Sequence, residues 1–516
     1  MSSVTNNRLI LKNTLMLYMR QILVLFVGLY SSRIVLKTLG AIDFGIFNVV
    51  AGVVTMLGFL SNAMTAACQR YFSFDIGKGD IKHLKNVYDT SFIIYLIIAF
   101  FIVIICETIG LWFVNSKLVI PVERLPSARI VLHLSLGTFL FTIMSTPFTA
   151  IITAHEDMSI YAWMSIFECS VKLILVILLG LNHKFDSMVL YGGIFLFIAF
   201  CNFCIYAVIC IKKYDVCRFR LFCDFLLVKE MFQYVLWNML SGISGAFYNQ
   251  GLNMVLNIYC GPIVNSARAI ASQVNGAVTT FASKFSSAVQ PQLIKNYAIK
   301  AFDDLYVQLW RGIKLTYALM FVFLLPLSFE ILFVLKAWLG NYPEYTAIFT
   351  VLTLIATCIE VTTYSLDVMA QATGKIRLYQ IVVSLLTFCN VPLSVLALNS
   401  HLPPYSIICV YILLLFVSIV LRMLILRKLV EHFSILSCIK KVFFPLFLFT
   451  LLSLPIPYLF YKLISVQPVQ FAIVVASSVV WVCFLAVFVL FEKTERQKLF
   501  YFVTEKITDK IRSVKK

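Results

Sequence analysis

Residues 29–48 read LYSSRIVLKTLGAIDFGIFN, and residues 260–290 read CGPIVNSARAIASQVNGAVTTFASKFSSAVQ. Each contains a glycine corner, Leu39-Gly40 in the first and Cys260-Gly261 in the second, and each corner opens a long run of small and polar residues. With the corners aligned, at an offset of about 221 residues, Gln69 falls on Gln290 and each glutamine closes its run. The match is one of pattern rather than of identity. It reads as one multi-helix unit used twice in a single chain.

What surrounds these corners is mostly apolar. The chain has 516 residues, of which 61% are hydrophobic and 13% charged, with mean hydropathy +0.94. A soluble domain carries roughly 25% charged residues, so little of this chain is a soluble domain. Runs long enough to span a bilayer, ~20 residues each, fall at about 13–38, 44–72, 86–114, 128–154, 157–181, 188–211, 231–259, 262–290, 306–335, 345–372, 376–398, 404–427, 441–463 and 468–491. The expected fold is therefore an all-α polytopic membrane protein of about fourteen helices. Met1–Lys12 is polar and runs straight into the first span, without the pattern of a cleaved signal peptide.

The net charge of +18 is a topology signal more than a nucleic-acid footprint, because most cations sit in short turns. The even-numbered turns and the two ends hold about 26 Lys and Arg, against about 7 in the odd-numbered turns, which predicts cytoplasmic N- and C-termini. The basic tail 492–516 reads as a solvated end drawn to anionic lipid. The 14 Cys are scattered through apolar runs and the six His lack ligand spacing, so neither disulfides nor a metal site is expected.

The repeat gives two six-helix lobes in parallel, 1–211 and 231–427, joined by a basic cytoplasmic linker at 212–230. Helices 13–14 (428–491) and the tail (492–516) lie outside it. Two such halves, related by an axis along the membrane normal, are a known transporter plan with the substrate site between them.

The stretch Leu29–Asn48, with Asn62-Ala-Met and Gln69-Arg-Tyr-Phe, resembles the start of the bacterial polysaccharide flippases, the O-antigen and capsule repeat-unit translocases of the multidrug/oligosaccharidyl-lipid/polysaccharide (MOP) exporter superfamily. Length, helix count and the two-half plan extend the resemblance along the whole chain. It implies a V-shaped cavity like that of the multidrug and toxin extruders (MATE), alternating access, and residence in the bacterial cytoplasmic membrane. The implied cargo is an undecaprenyl-pyrophosphate-linked glycan, moved from the cytoplasmic to the periplasmic leaflet. It further implies a monomer in membrane lipid, working beside the polymerase and chain-length regulator of the same glycan pathway. No organic cofactor is implied; the coupling ion is H⁺ or Na⁺.

Nine cations fall inside the spans, where a charge costs ~2.5–3.5 kcal/mol at the bilayer centre and so faces protein or water. Arg268 follows the Gly261-Pro262 break, and Ser272, Asn275, Thr279, Ser286 and Gln290 continue down its helical face. A cation heading a polar stripe suits a helix that lines an anion-accepting cavity; helix–helix hydrogen bonding is the alternative. Arg20 is a second candidate cavity cation or an interfacial anchor, and Arg33 a third, also placed to pair with Asp43 across the corner. Arginine suits pyrophosphate because its permanently charged fork grips two oxygens at once. Helix 7 carries a partner stripe through Asn238, Gly242, Gly245, Asn249 and Asn253. On helix 10, Glu360 and Asp367 share a face; they are candidate H⁺ or Na⁺ coupling groups, or partners of cavity arginines. Glu168 and Lys172, four apart, are spaced for an intramembrane ion pair.

Two other functions compete with flipping. A cation-coupled drug exporter of the same superfamily would favour an acidic cavity, against Arg20 and Arg268. A glycan polymerase or glycosyltransferase would require a large outer loop or a carboxylate pair at an aqueous face. The longest outer loop, about 115–127, holds Glu123 as its one acid, and the chain shows no nucleotide-binding loop or Ser/His/Asp set. An enzyme is not expected.

Overall fold

The computed structural model describes the backbone of residues 2–491, apart from 156, 182–183, 219, 221, 223 and 465, together with 496–497; the side chains of 2–23, of 230 and 232–241 and of single positions such as 70 and 284 lie outside the description. Within it every regular element is helical. In chain order they are α1 (Ser2–Thr55), α2 (Gly58–Lys78), α3 (Ile81–Ile105), α4 (Leu111–Ser116), α5 (Leu125–Ala154), α6 (Met158–Gly180), α7 (Ser187–Lys213), α8 (Phe225–Cys260) and α9 (Pro262–Ala298). There follow α10 (Phe302–Leu339), α11 (Thr346–Glu360), α12 (Tyr364–Ala372), α13 (Arg377–Asn399), α14 (Ser406–Leu429), α15 (Ile435–Cys438), α16 (Phe444–Ser453), α17 (Pro455–Leu463) and α18 (Gln467–Leu485).

Eleven segments among the described residues are long and apolar enough to cross a membrane. The chain is a multi-pass membrane protein. α2, α8 and α9 are not among the eleven; they cover the later part of the run read at 44–72 and the runs read at 231–259 and 262–290, and their side chains are only partly described.

Two compact units divide the chain. The first comprises Met1–Ile270, Asn341–Thr346 and Thr387–Ile407; the second comprises Ala271–Gly340, Ala347–Leu386 and Ile408–Lys516. In the first, α5 packs along α7, α1 along α6, and α2 against α5 and α8. Aromatic rings fill this interior, with Phe47 against Tyr191 at 4.6 Å and Tyr88 against Phe148 at 6.4 Å. In the second, α10 packs against α18 and α12, and a core of Leu309, Ile313, Met320, Leu354, Leu366 and Phe449 is closed to solvent. Burying such side chains against one another, rather than against lipid, gains dispersion contacts more than hydrophobic free energy.

The corners appear as backbone breaks. Gly40 interrupts α1 with φ 75°, and Gly261 separates α8 from α9 with φ 79°. Both lie in the left-handed region, where a side chain would be strained, which is why glycine stands at each. Pro262 then opens α9, where its missing N–H costs nothing. A second interruption had no warning in the sequence. The run read as continuous over 44–72 turns at Met56-Leu57, where Met56 N donates to Gly52 O and Leu57 N to Val54 O.

Candidate functional site

The Asn-rich face of α8 builds a polar ladder next to the Gly261 corner. Asn249, Asn253 and Asn257 recur every fourth residue and so share one face. Asn257 is fully buried; it accepts from Val119 N at 2.7 Å and donates to Val119 O at 3.4 Å, so it staples the segment after α4 to α8. Asn253 donates to Gln250 Oε1 at 3.0 Å, and its main-chain oxygen accepts from Asn265 Nδ2 at 2.7 Å across the corner. Asn249 donates back to Gly245 O at 3.0 Å. Gly45 lets α1 approach this corner: a Cβ there would stand 1.9 Å from Pro262 O. Gly242 likewise brings α8 onto α2, with 3.2 Å from its would-be Cβ to Phe59.

Arg268 reaches back onto this ladder. It is 8% exposed, and its Nη1 donates to Asn249 O at 2.9 Å and to Asn253 Oδ1. Among the described residues, no protein acceptor engages its Nε or Nη2, and no carboxylate pairs with it. Tyr248 is, among the described residues, a titratable side chain within its electrostatic reach. The guanidinium is thus oriented by two amide oxygens, with no acceptor at two of its nitrogens and no counter-charge among the described residues. Further along α9, Ser272 is exposed and Asn275 and Thr279 are half-buried, with Thr279 donating to Asn275 O at 2.7 Å.

Arg33 is exposed, and Asp43 does not pair with it. Asp43 instead meets Arg124 at the start of α5, Nε to Oδ1 at 2.8 Å, and the same guanidinium grips Asp186 at 3.0 and 3.1 Å. Asp186 caps α7 through Met188 N at 2.9 Å and accepts from Ser127 Oγ at 2.5 Å. The backbone break at Gly40 carries Asp43 off the helix that holds Arg33, which is why the pair read across the corner does not form. Arg20 lies outside the residues whose side chains are described. Glu168 accepts from Asn202 at 3.2 Å, while Lys172 Nζ stands 4.7 Å over the Phe195 ring; the two remain within electrostatic reach of one another.

A second polar cluster lies in the other unit, around a break in the helix read over 345–372. α11 ends at Glu360, a tight turn covers Val361–Thr363, and α12 starts at Tyr364. Thr362 and Thr363 back-bond to Ile359 O at 2.6 Å and Glu360 O at 2.8 Å, which tightens this turn without glycine or proline. Beyond it, Asp367 accepts from Tyr379 Oη at 2.5 Å and forms an ion pair with Arg422, itself 8% exposed. Arg422 also donates to Ser418 Oγ at 3.0 Å and to Tyr379 Oη at 2.9 Å. Glu360 hydrogen-bonds Tyr411 and lies within electrostatic reach of Arg422. Asp367 thus pairs with Arg422 directly, and Glu360 feels its charge at longer range. Arg422 was not singled out in the sequence, although Ser418 and Arg422, four apart in an apolar run, mark a polar face. Among the described residues, no group of three or more His, Cys, Asp or Glu is placed to hold a metal ion.

No protein-family model matches the sequence, and no curated protein is similar to it in sequence. Solved structures are similar in fold. The lipid II flippase MurJ in an inward closed conformation aligns with TM-score 0.67 and 13% identity, over 93% of this chain and 98% of that one. An inward-facing multidrug resistance MATE family transporter of the MOP superfamily aligns with TM-score 0.63 and 16% identity, over 80% and 96%. A MOP superfamily transporter from Pyrococcus furiosus, described as having a binding pocket of reverse polarity that suggests a different function, aligns with TM-score 0.57 and 15% identity, over 84% and 97%. At these identities the likeness is one of fold, and the chain has the helical fold of MOP-superfamily transporters.

Proposed function

We propose that this protein is a flippase that carries an undecaprenyl-pyrophosphate-linked oligosaccharide from the cytoplasmic to the periplasmic leaflet by alternating access. The observation that carries this reading is Arg268: a buried cation with no acid partner among the described residues, held in place by Asn249 and Asn253, with two nitrogens free to donate. A buried charge without a partner is costly. It is retained where a ligand of opposite charge supplies what the protein withholds, and a pyrophosphate offers paired oxygens that match the guanidinium fork. The fold shared with MurJ and with the transporter of reversed pocket polarity supports the same reading. Glu360 beside Arg422 supplies the group through which H⁺ or Na⁺ would couple. As in the sequence reading, two six-helix lobes would rock to expose the site to each side in turn.

A cation-coupled multidrug exporter is the second reading, supported by the MATE alignment. The sign of Arg268 opposes it, since a cationic drug would be repelled there. The test is complementation of a flippase-null bacterium with the intact chain, Arg268→Ala and Arg268→Glu. Surface glycan restored by the intact chain and lost in both variants is the expected result. Drug resistance without surface glycan would overturn it.

A further inference from the structure

Glu330 lies within α10 and belongs to neither polar cluster. It is 2% exposed, and its Oε1 is sealed from solvent with no hydrogen-bond partner. Its backbone leaves the helix (φ −109°, ψ 15°), although α10 continues on either side of it. Pro326, one turn earlier, removes a main-chain donor from the same stretch. A carboxyl therefore sits at the point where a long membrane helix bends.

The neighbours do not neutralise it. From α17, Tyr458 and Tyr461 pack on Phe329 at 6.2 and 5.7 Å, and Lys462 is exposed to solvent. From α18, Gln470 spends its amide on Tyr461 O at 2.5 Å, and Phe471 packs on Phe333 at 5.1 Å. Other titratable groups on elements packed against α10 include Lys295 and Tyr297 of α9, Cys358 and Glu360 of α11, Tyr364 and Asp367 of α12, Cys483 of α18, and Lys440 and Lys441 of the segment before α16, and α10 itself carries Lys336; Asp367 is already tied to Arg422. Among the described residues none forms a hydrogen bond or ion pair with Glu330. An ionised carboxylate so enclosed costs several kcal/mol, whereas the neutral acid costs far less.

We propose that Glu330 is a proton-binding site that sets the bend of α10: protonated in the conformation described here, it must reach water to release its proton, and the helix opens at residues 326–334 when it does. The step is a simple ionisation, with the proton passing from the carboxyl to water. It holds whatever the protein transports. The test is infrared difference spectroscopy of the full-length protein in lipid between acid and neutral pH, with amide hydrogen exchange corrected for intrinsic rates. The intact chain should show a protonated-carboxyl band that titrates, and protection of amides 327–334 should fall about tenfold on deprotonation. Glu330→Gln should remove that band and keep protection at every pH; Glu330→Asp should retain a titrating band and so guard against a misfolded Gln variant. A carboxyl difference spectrum that Glu330→Gln leaves unchanged, or protection that ignores pH in the intact chain, overturns the proposal.

Discussion

Arg268 and Arg422 are equally buried, each 8% exposed, and yet they stand in opposite electrostatic situations. Arg422 is closed into a network of Asp367, Tyr379 and Ser418. Arg268 is held by two amide oxygens and faces no acid among the described residues. The same side chain therefore does two jobs. In the second unit its charge is neutralised inside the protein and ties α14 to α12 and α13. In the first it is oriented but not neutralised, which is the state expected of a group waiting for an anion.

The contrast can be broken by substitution. The largest stability loss is expected for Arg422→Gln, about 3 kcal/mol, because the half-buried Asp367 loses its counter-charge and Tyr379 and Ser418 lose their donor. Asp367→Asn in the same chain should recover much of it, and a double-mutant cycle by thermal unfolding in detergent measures the coupling. Additivity of the two changes would mean that the pair is not a unit. Next is Gly45→Ala, whose Cβ would stand 1.9 Å from Pro262 O; displacing that corner should cost about 1–3 kcal/mol and carry Arg268 out of register with Asn249. Arg268→Gln should change stability by less than about 1 kcal/mol, since no acid is stranded. Its effect belongs in transport, with surface glycan down about tenfold or more. A large stability loss with transport intact would make Arg268 a second structural arginine and end the distinction.

What could be read from sequence divides along the same physical line. Apolar runs and glycine corners are local signals, and the left-handed backbone at Gly40 and Gly261 lies where the two motifs put it. The breaks at Met56-Leu57 and Val361–Thr363 are made by main-chain turns and threonine back-bonds inside apolar runs, without proline in either turn. Partners distant in sequence were the hardest to find. Sequence proximity points Asp43 to Arg33, whereas its partner Arg124 stands 81 residues away. Arg268 and Asn253 were each legible as polar residues in a span. That the asparagine would orient the arginine depended on the Gly261 corner folding α9 back onto α8.

The smallest effect isolates an ion pair at the protein surface, a third setting for arginine. Burial pulls the Asp186 carboxyl upward, but Ser127 and the Arg124 guanidinium outweigh it and hold the group below its usual range. A lowered folded value means that Asp186 contributes stability above the unfolded value of about 3.9, and that this contribution fades as pH falls through the folded value. Asp186→Asn keeps a side chain able to cap α7 and removes only the charge. The variant should be less stable by about 1 kcal/mol at pH 7, the scale of a partly exposed pair. The gap should close as the pH is taken below about 4 in thermal unfolding of both proteins. A gap that stays constant with pH would mean that the loss comes from the Ser127 contact or the cap, and that Arg124 holds its two acids by geometry more than by charge.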